Sequence, residues 1–273
     1  MLSDITLGQF FPGNSLLHRM DPRAKIILTL LYITSVFLAS SVSGFVFIIL
    51  FTAVLIAISG IPLKVILKGM KPLVIIICFT AIINIFWTRG ENPLFEWKFI
   101  TIYPEGVIFA ALMIVRVSAL LAGTGVVLTY TTSPIALTDG LERLLAPLKK
   151  IHLPVHEFAM MMTIALRFIP LLIEETEKIM NAQKARGADF ASGSLLKRAK
   201  ALVPILIPLF ISAFRRADEL ATAMECRCYR GGENRTRMTQ TRMQGIDYVG
   251  LTVFVLAGAA IVLLNIYFPI YAI

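Results

Sequence analysis

Up to about residue 130 the chain alternates long apolar runs with short basic breaks. It then changes character for a long stretch before returning to one last apolar run. A run of about 18 apolar residues is long enough to cross a hydrocarbon core of roughly 30 Å. Five runs approach or exceed that length, at about 26–42, 45–61, 72–88, 107–130 and 246–268. Ser43 and Gly44 separate the first two, which predicts a tight hairpin.

The stretch from 132 to 245 is patterned differently. Thr132, Ser133 and Pro134 predict a helix start, with a hydroxyl for the cap and Pro at the first helical position, where its missing donor costs nothing. From there to about Lys150, Leu137, Leu141, Leu144, Leu145 and Leu148 fall on one side, while Asp139, Glu142, Arg143 and Lys149 fall away from it. Pro147 is expected to bend this helix near its end. A short break at 151–154 leads to a second long helix over 155–186, with an apolar half, 158–173, followed by a charged half. The apolar half contains Arg167 and Pro170 and is only about 16 residues long, short for a span, so it is read as dipping into the membrane interface or packing on the spans. After a loop at 187–194 the design recurs: apolar residues 201–214, broken by Pro204 and Pro208, precede a charged helix over 215–228.

The repetition extends to a six-residue pattern. Ala182-Gln183-Lys184-Ala185-Arg186-Gly187 and Ala223-Met224-Glu225-Cys226-Arg227-Cys228 both place Arg between two small residues near a helix end. A cation there is favoured by the helix dipole, by about 0.3–1 kcal/mol. Gly187 and the pair Gly231-Gly232 are natural helix stops. One such Arg is an ordinary cap. Two at matched spacing predict paired tips that a partner's surface can approach closely.

Composition narrows the class. With 57% hydrophobic and 16% charged residues and a mean hydropathy of +0.79, the chain is too apolar for a soluble domain of its length. The fold class is an all-α polytopic membrane protein. Of 26 Lys and Arg, 17 lie in residues 132–245. Because cytoplasmic loops hold the excess of basic residues, the amino terminus and this region are placed in the cytosol and the carboxyl terminus outside. Arg89 and Lys98 then fall outside. The start carries Asp4 and no basic lead-in, so no cleavable signal is expected and the first span serves as its own insertion signal. The net charge of +9 follows from this topology and needs no nucleic acid. Cys78, Cys226 and Cys228 give no disulfide framework and are expected as thiols.

Catalytic signals are missing. There is no GxxxxGK[ST] phosphate loop, and no acid pair or Ser-His set lies at membrane depth, so no enzyme activity is expected. His152 and His156, with Glu157, are interrupted by Pro154 and lack a third ligand, so no metal site is expected. Gly123-Thr124-Gly125 reads as close helix packing. Arg116 is the one charge deep inside a span, about ten residues in, and must face protein or water. Asn84 at comparable depth is its expected neighbour along a polar seam.

Several runs carry a resemblance. They are Thr131-Thr132-Ser133-Pro134, Leu137-Thr138-Asp139-Gly140-Leu141-Glu142-Arg143-Leu144-Leu145, Ala165-Leu166-Arg167-Phe168-Ile169-Pro170, the leader from Phe11 to Arg23, and the two small-Arg-small motifs. Together the chain resembles the transmembrane T component of energy-coupling factor (ECF) transporters over nearly its whole length. The resemblance implies a prokaryotic plasma-membrane scaffold. Such a scaffold joins two cytosolic ATP-binding-cassette (ABC) ATPases to a small membrane subunit, the S component, that binds a vitamin or other micronutrient. On that implication residues 1–131 form the leader and first four spans, 132–245 a cytosolic or interfacial coupling domain, and 246–273 the last span. Ala185, Arg186 and Gly187 would engage one ATPase and Cys226, Arg227 and Cys228 the other, with Pro170, Pro204 and Pro208 as hinge candidates. The chain itself would bind no cofactor, ATP and Mg belonging to the ATPases. The second motif departs from the family's usual Ala-Arg-Gly by carrying Cys on both sides of Arg227.

The alternative is a secondary transporter acting without ATPases. That class needs polar sites near the midplane, and only Arg116 and Asn84 qualify here; no acidic residue lies deep in the spans for proton or sodium coupling.

Overall fold

The computed structural model describes residues 10–88, 95–97, 100–151, 154–188, 190, 194–231 and 242–268. Arg89, Lys98, His152, Gly232 and Asp4, on which parts of the sequence reading rest, lie outside them. The described chain is helical apart from one two-stranded antiparallel hairpin, β1 (Phe95–Trp97) with β2 (Ile100–Ile102). It is an all-α polytopic membrane protein. The described residues of Glu142–Thr239 form one compact unit and those of Gly8–Leu141 with Gln240–Ile273 another.

The second of these is a helical bundle. A single turn, α1 (Leu16–Arg19), precedes α2 (Pro22–Leu38), α3 (Val42–Ser59), α4 (Leu63–Met70), α5 (Val74–Trp87), α6 (Pro104–Thr124) and α10 (Gly245–Tyr267). A 3₁₀ turn, Lys71–Leu73, joins α4 to α5, and a π-helical turn, Gly125–Thr129, ends α6. Helix α2 packs on α10, α6 and the π-helical turn, and meets α3 through Tyr32, which reaches Thr52 and Phe51. Leu28, Tyr32 and Val36 of α2 are fully buried, as are Phe45, Ile48, Val126, Val127 and Ile261 around them. Gly123 permits this closeness: a Cβ there would overlap the Tyr32 ring. The Tyr32 hydroxyl bonds the Ala119 carbonyl at 2.9 Å and Thr52 Oγ1 at 2.7 Å, so a polar group on a central helix is satisfied by protein.

Five helical segments among the described residues are long and apolar enough to cross a membrane: Val42–Ser59, Leu63–Trp87, Pro104–Thr129, Val155–Ala185 and Gly245–Tyr267. The number matches the sequence reading but the membership differs. The run at 26–42 becomes a helix of 17 residues because the chain turns at Ala39–Ser41. Ser41 caps α3, accepting from the Gly44 amide at 3.2 Å. Gly44, read from sequence as part of the turn, instead lies inside α3, where a Cβ would stand 3.0 Å from Asn265 Oδ1. The segment at 158–173, judged too short alone, belongs to one unbroken helix of 31 residues.

In the other unit, α7 (Pro134–Leu145), whose first turns belong to the bundle, leads through a 3₁₀ segment, Ala146–Ile151, to α8 (Val155–Ala185). Helix α9 (Leu195–Cys226) follows. Pro204 and Pro208 do not break α9, contrary to expectation; it runs 32 residues through both. Each proline removes only one backbone hydrogen bond, and flanking turns hold the helix.

Candidate functional site

The site is built from the ends of α8 and α9. At the first, the Gly187 amide donates to the Lys184 carbonyl at 2.9 Å and the Ala188 amide reaches back to the Gln183 carbonyl at 3.0 Å. At the second, the Cys228 amide donates to the Glu225 carbonyl at 2.8 Å and the Tyr229 amide to the Met224 carbonyl at 3.0 Å. Both are the paired bonds that close a helix through a left-handed residue. That residue is Gly187, at φ +85°, in one and Cys228, at φ +56°, in the other.

Arg186 and Arg227 therefore hold the same C-cap position, with φ of −89° and −92°. The accessibility pattern repeats too. Ala182, Lys184, Ala185, Arg186 and Gly187 are exposed while Gln183 and Ala188 are half-buried; Ala223, Glu225, Cys226, Arg227 and Cys228 are exposed while Met224 and Tyr229 are half-buried. Two copies of one motif have folded into two copies of one surface. Each offers a guanidinium flanked by small side chains at the negative end of a helix dipole.

Helices α8 and α9 pack on each other. Arg216 donates to Glu175 Oε2 at 3.0 Å across the pair, and an apolar cavity of about 300 Å³ is lined by Ile164, Phe168, Leu172, Ala217, Leu220 and Met224. Pro170, Pro204 and Pro208 are exposed on these helices. Proline lacks a donor, so the carbonyls four residues earlier, at Leu166, Lys200 and Pro204, receive no amide from the prolines. His156 Nδ1 lies 3.0 Å from Glu142 Oε1, so its ring faces a carboxylate.

The structure does not bring Arg116 and Asn84 together. Arg116 donates to the Ala39 carbonyl at 2.6 Å and lies over the Phe45 ring, 5.0 Å from its centroid. Asn84 turns back to its own helix, donating to the Thr80 carbonyl at 2.8 Å. The Asn84 carbonyl faces Gly106, ten residues and about 15 Å along α6 from Arg116. Arg116 serves the α2–α3 turn, together with a residue the sequence reading missed. Asn265 Oδ1 accepts from the Ser41 amide at 3.2 Å and the Ser41 hydroxyl at 2.7 Å, and its Nδ2 donates to the Leu38 carbonyl at 2.6 Å.

A second missed cluster gathers where the first and last bundle helices begin. Lys25 is 2% exposed, in the first turn of α2 ahead of the apolar run. Its ammonium donates to the Thr131 carbonyl at 2.8 Å and the His18 carbonyl at 3.4 Å. Asp247, 1% exposed, accepts from the Asp21 amide at 2.9 Å and the Gln244 amide at 2.7 Å. Burial pushes the Lys25 ammonium down to about 8, against the upward pull of the Asp247 and Asp21 carboxylates.

The family described as cobalt transport protein matches residues 13–238, most of the chain. The chain is 56% identical over 250 residues to the energy-coupling factor transporter transmembrane protein EcfT of Clostridium kluyveri, covering 91% of this chain and 92% of that one. It is 56% identical over 255 residues to EcfT of Ruminiclostridium cellulolyticum, covering 93% and 95%. It is 46% identical over 247 residues to EcfT of Bacillus subtilis, covering 90% and 93%. The chain belongs to the EcfT family. It is thus a transmembrane component of an energy-coupling factor transporter, a multi-pass protein of the cell membrane. Within the EcfT family, as here, a transporter's membrane subunit has to join its other subunits through surfaces it exposes, and the paired caps are exposed.

Proposed function

We propose that α8 and α9 are coupling helices. Their capped ends dock two cytosolic ABC ATPases, Arg186 with Ala185 and Gly187 on one, Arg227 with Cys226 and Cys228 on the other. ATP-driven movement of the ATPases passes along the helices to a small membrane subunit that binds a vitamin or related micronutrient. The chain is a non-catalytic scaffold. Its basic region faces the cytosol, its amino terminus is cytoplasmic and its carboxyl terminus outside, a reading supported by the distribution of Lys and Arg.

The observation that carries this reading is the congruence of the two caps in backbone angles, hydrogen bonds and exposure. A helix end that served only its own fold would not need a second copy with the same Arg at the same position. Exposed Leu206, Ile207, Phe210, Ile211 and Phe214 on α9 supply an apolar surface for lipid or the substrate-binding subunit. Pro170, Pro204 and Pro208 supply points of lower bending stiffness along the levers.

Affinity purification of the tagged chain from its native membranes in mild detergent tests it. The expected result is co-recovery of two ABC ATPases and at least one small membrane protein, lost when Arg186 and Arg227 are both changed to Glu. Recovery of the chain alone, transporting without ATP, would place it among secondary transporters.

A further inference from the structure

The chain passes between the bundle and the unit holding α8 and α9 at two places, 141/142 and 239/240. The described residues on the bundle side of each passage touch one turn, Asp21-Pro22-Arg23-Ala24-Lys25. On the outgoing passage, Lys25 holds the Thr131 carbonyl at 2.8 Å, immediately before the Ser133-Pro134 start of α7. Gly140, two turns further on, is seated on Pro22: a Cβ there would stand 2.8 Å from Pro22 Cβ and 3.3 Å from the Arg23 amide nitrogen. On the return passage, Asp247 binds the Gln244 amide at 2.7 Å and the Asp21 amide at 2.9 Å. The leader is tied in as well, through the His18 carbonyl on Lys25 and the Phe11 amide on the Tyr130 carbonyl at 2.9 Å.

We propose that Lys25 is a positioning residue for energy coupling: with Asp21 and Asp247 it ties the segment leading into α7 and the start of α10 to the start of α2, so that displacement of α8 and α9 moves the bundle. This rests on the coupling role proposed above for α8 and α9. Its physical basis is the cost of yielding. Breaking one partner from a buried, hydrogen-bonded charge leaves the other desolvated and unpaired, so the outgoing side, from Thr131 into α7, resists displacement from α2. An apolar contact alone, such as Gly140 on Pro22, would permit sliding. The directional bonds to Thr131 and Asp247 do not.

The test compares wild type and Lys25→Met in the full complex, purified with its ATPases, by backbone hydrogen exchange with and without a non-hydrolysable ATP analogue and Mg²⁺. In wild type the nucleotide is expected to change exchange in α8 and α9 and also at the starts of α2 and α10. In Lys25→Met the response in α8 and α9 is expected to persist while that at α2 and α10 is lost. A variant that merely loosened the fold would instead raise exchange throughout, with and without nucleotide, and would overturn the proposal. So would a variant whose response at α2 and α10 equals wild type, leaving the coupling role of α8 and α9 standing. If wild type itself brings no ATPases, the coupling role fails first and this inference falls with it. Should Lys25→Met not assemble, Gly140→Ala lifts α7 from the same seat with Lys25 intact, and the same loss of response is expected; a full response would overturn the proposal.

Discussion

Gly187 and Cys228 occupy the same left-handed position, each one residue past an exposed C-cap Arg, although only one of them is glycine. A side chain in that backbone region costs about 1–2 kcal/mol through the clash of Cβ with its own carbonyl. The second cap therefore carries strain that the first does not. Cys228→Gly is expected to stabilise the α9 end by about 1 kcal/mol and to raise the melting temperature of the purified protein by a few degrees. Gly187→Ala, which has open space around its Cβ, is expected to cost a similar amount through the backbone alone. Thermal unfolding of both variants checks the pair.

Charge reversal probes the Arg residues themselves. Both are exposed in the chain alone, so Arg186→Glu and Arg227→Glu are expected to leave its melting temperature unchanged within a degree or so. Breaking a buried charge pair costs on the order of 3–5 kcal/mol, which is roughly a hundredfold or more in affinity for the ATPases. ATPase recovery on the tagged chain, titrated against salt, measures this. Equal recovery from wild type and both variants would remove the Arg residues from the interface.

The α2–α3 turn yields a third expectation. Asn265 and Arg116 grip backbone groups at Leu38, Ala39 and Ser41, from α10 and α6 respectively. Asn265→Ala removes the acceptor shared by the Ser40 and Ser41 amides and the Ser41 hydroxyl, and the donor to the Leu38 carbonyl, and is expected to destabilise by about 1–3 kcal/mol. Arg116→Met frees the Ala39 carbonyl and is expected to cost a similar amount. Because the two act on one turn, the double variant should lose less than the sum, which a double-mutant cycle on thermal stability will read.

These relationships show what the sequence could and could not carry. The Ser133-Pro134 start was legible because its signal is local: the Ser133 hydroxyl accepts from the Ala136 amide at 3.3 Å and Pro134 opens α7. The first cap was legible for the same reason, Gly187 taking the left-handed position expected of it; the second was expected to stop at Gly231-Gly232, and instead Cys228 takes that position, closed within six residues like the first. The polar clamps were not, since Asp21 and Asp247 lie 226 residues apart and Ser41 and Asn265 lie 224 apart. Nothing in the composition of either partner announces the other. Asn84 was an error of the same kind, because which residues of two spans lie level depends on how the helices pair, and the Asn84 carbonyl lies opposite Gly106 rather than Arg116. Pro204 and Pro208 misled in the opposite direction: a local breaker was overruled by the helix on both sides of it.

Lys25 gives a pH dependence with a definite sign. Its ammonium sits near 8 in the folded protein against 10.5 in the unfolded chain. Below pH 8 both states hold the proton, and the folded state bears the cost of burying the charge in full. Between about 8 and 10.5 the unfolded state binds more protons than the folded one, so stability contributed by this group rises with pH across that window and is level above it. Other groups titrate there too, so the quantity to follow is the difference in melting temperature between wild type and Lys25→Met, measured from pH 7 to 10. That difference is expected to be flat up to about pH 8 and then to shift in favour of wild type. A difference that stays level over the whole range would mean that Lys25 keeps its ordinary titration in the folded protein, and that the bond to Thr131 and the attraction of the Asp247 and Asp21 carboxylates fully offset its burial.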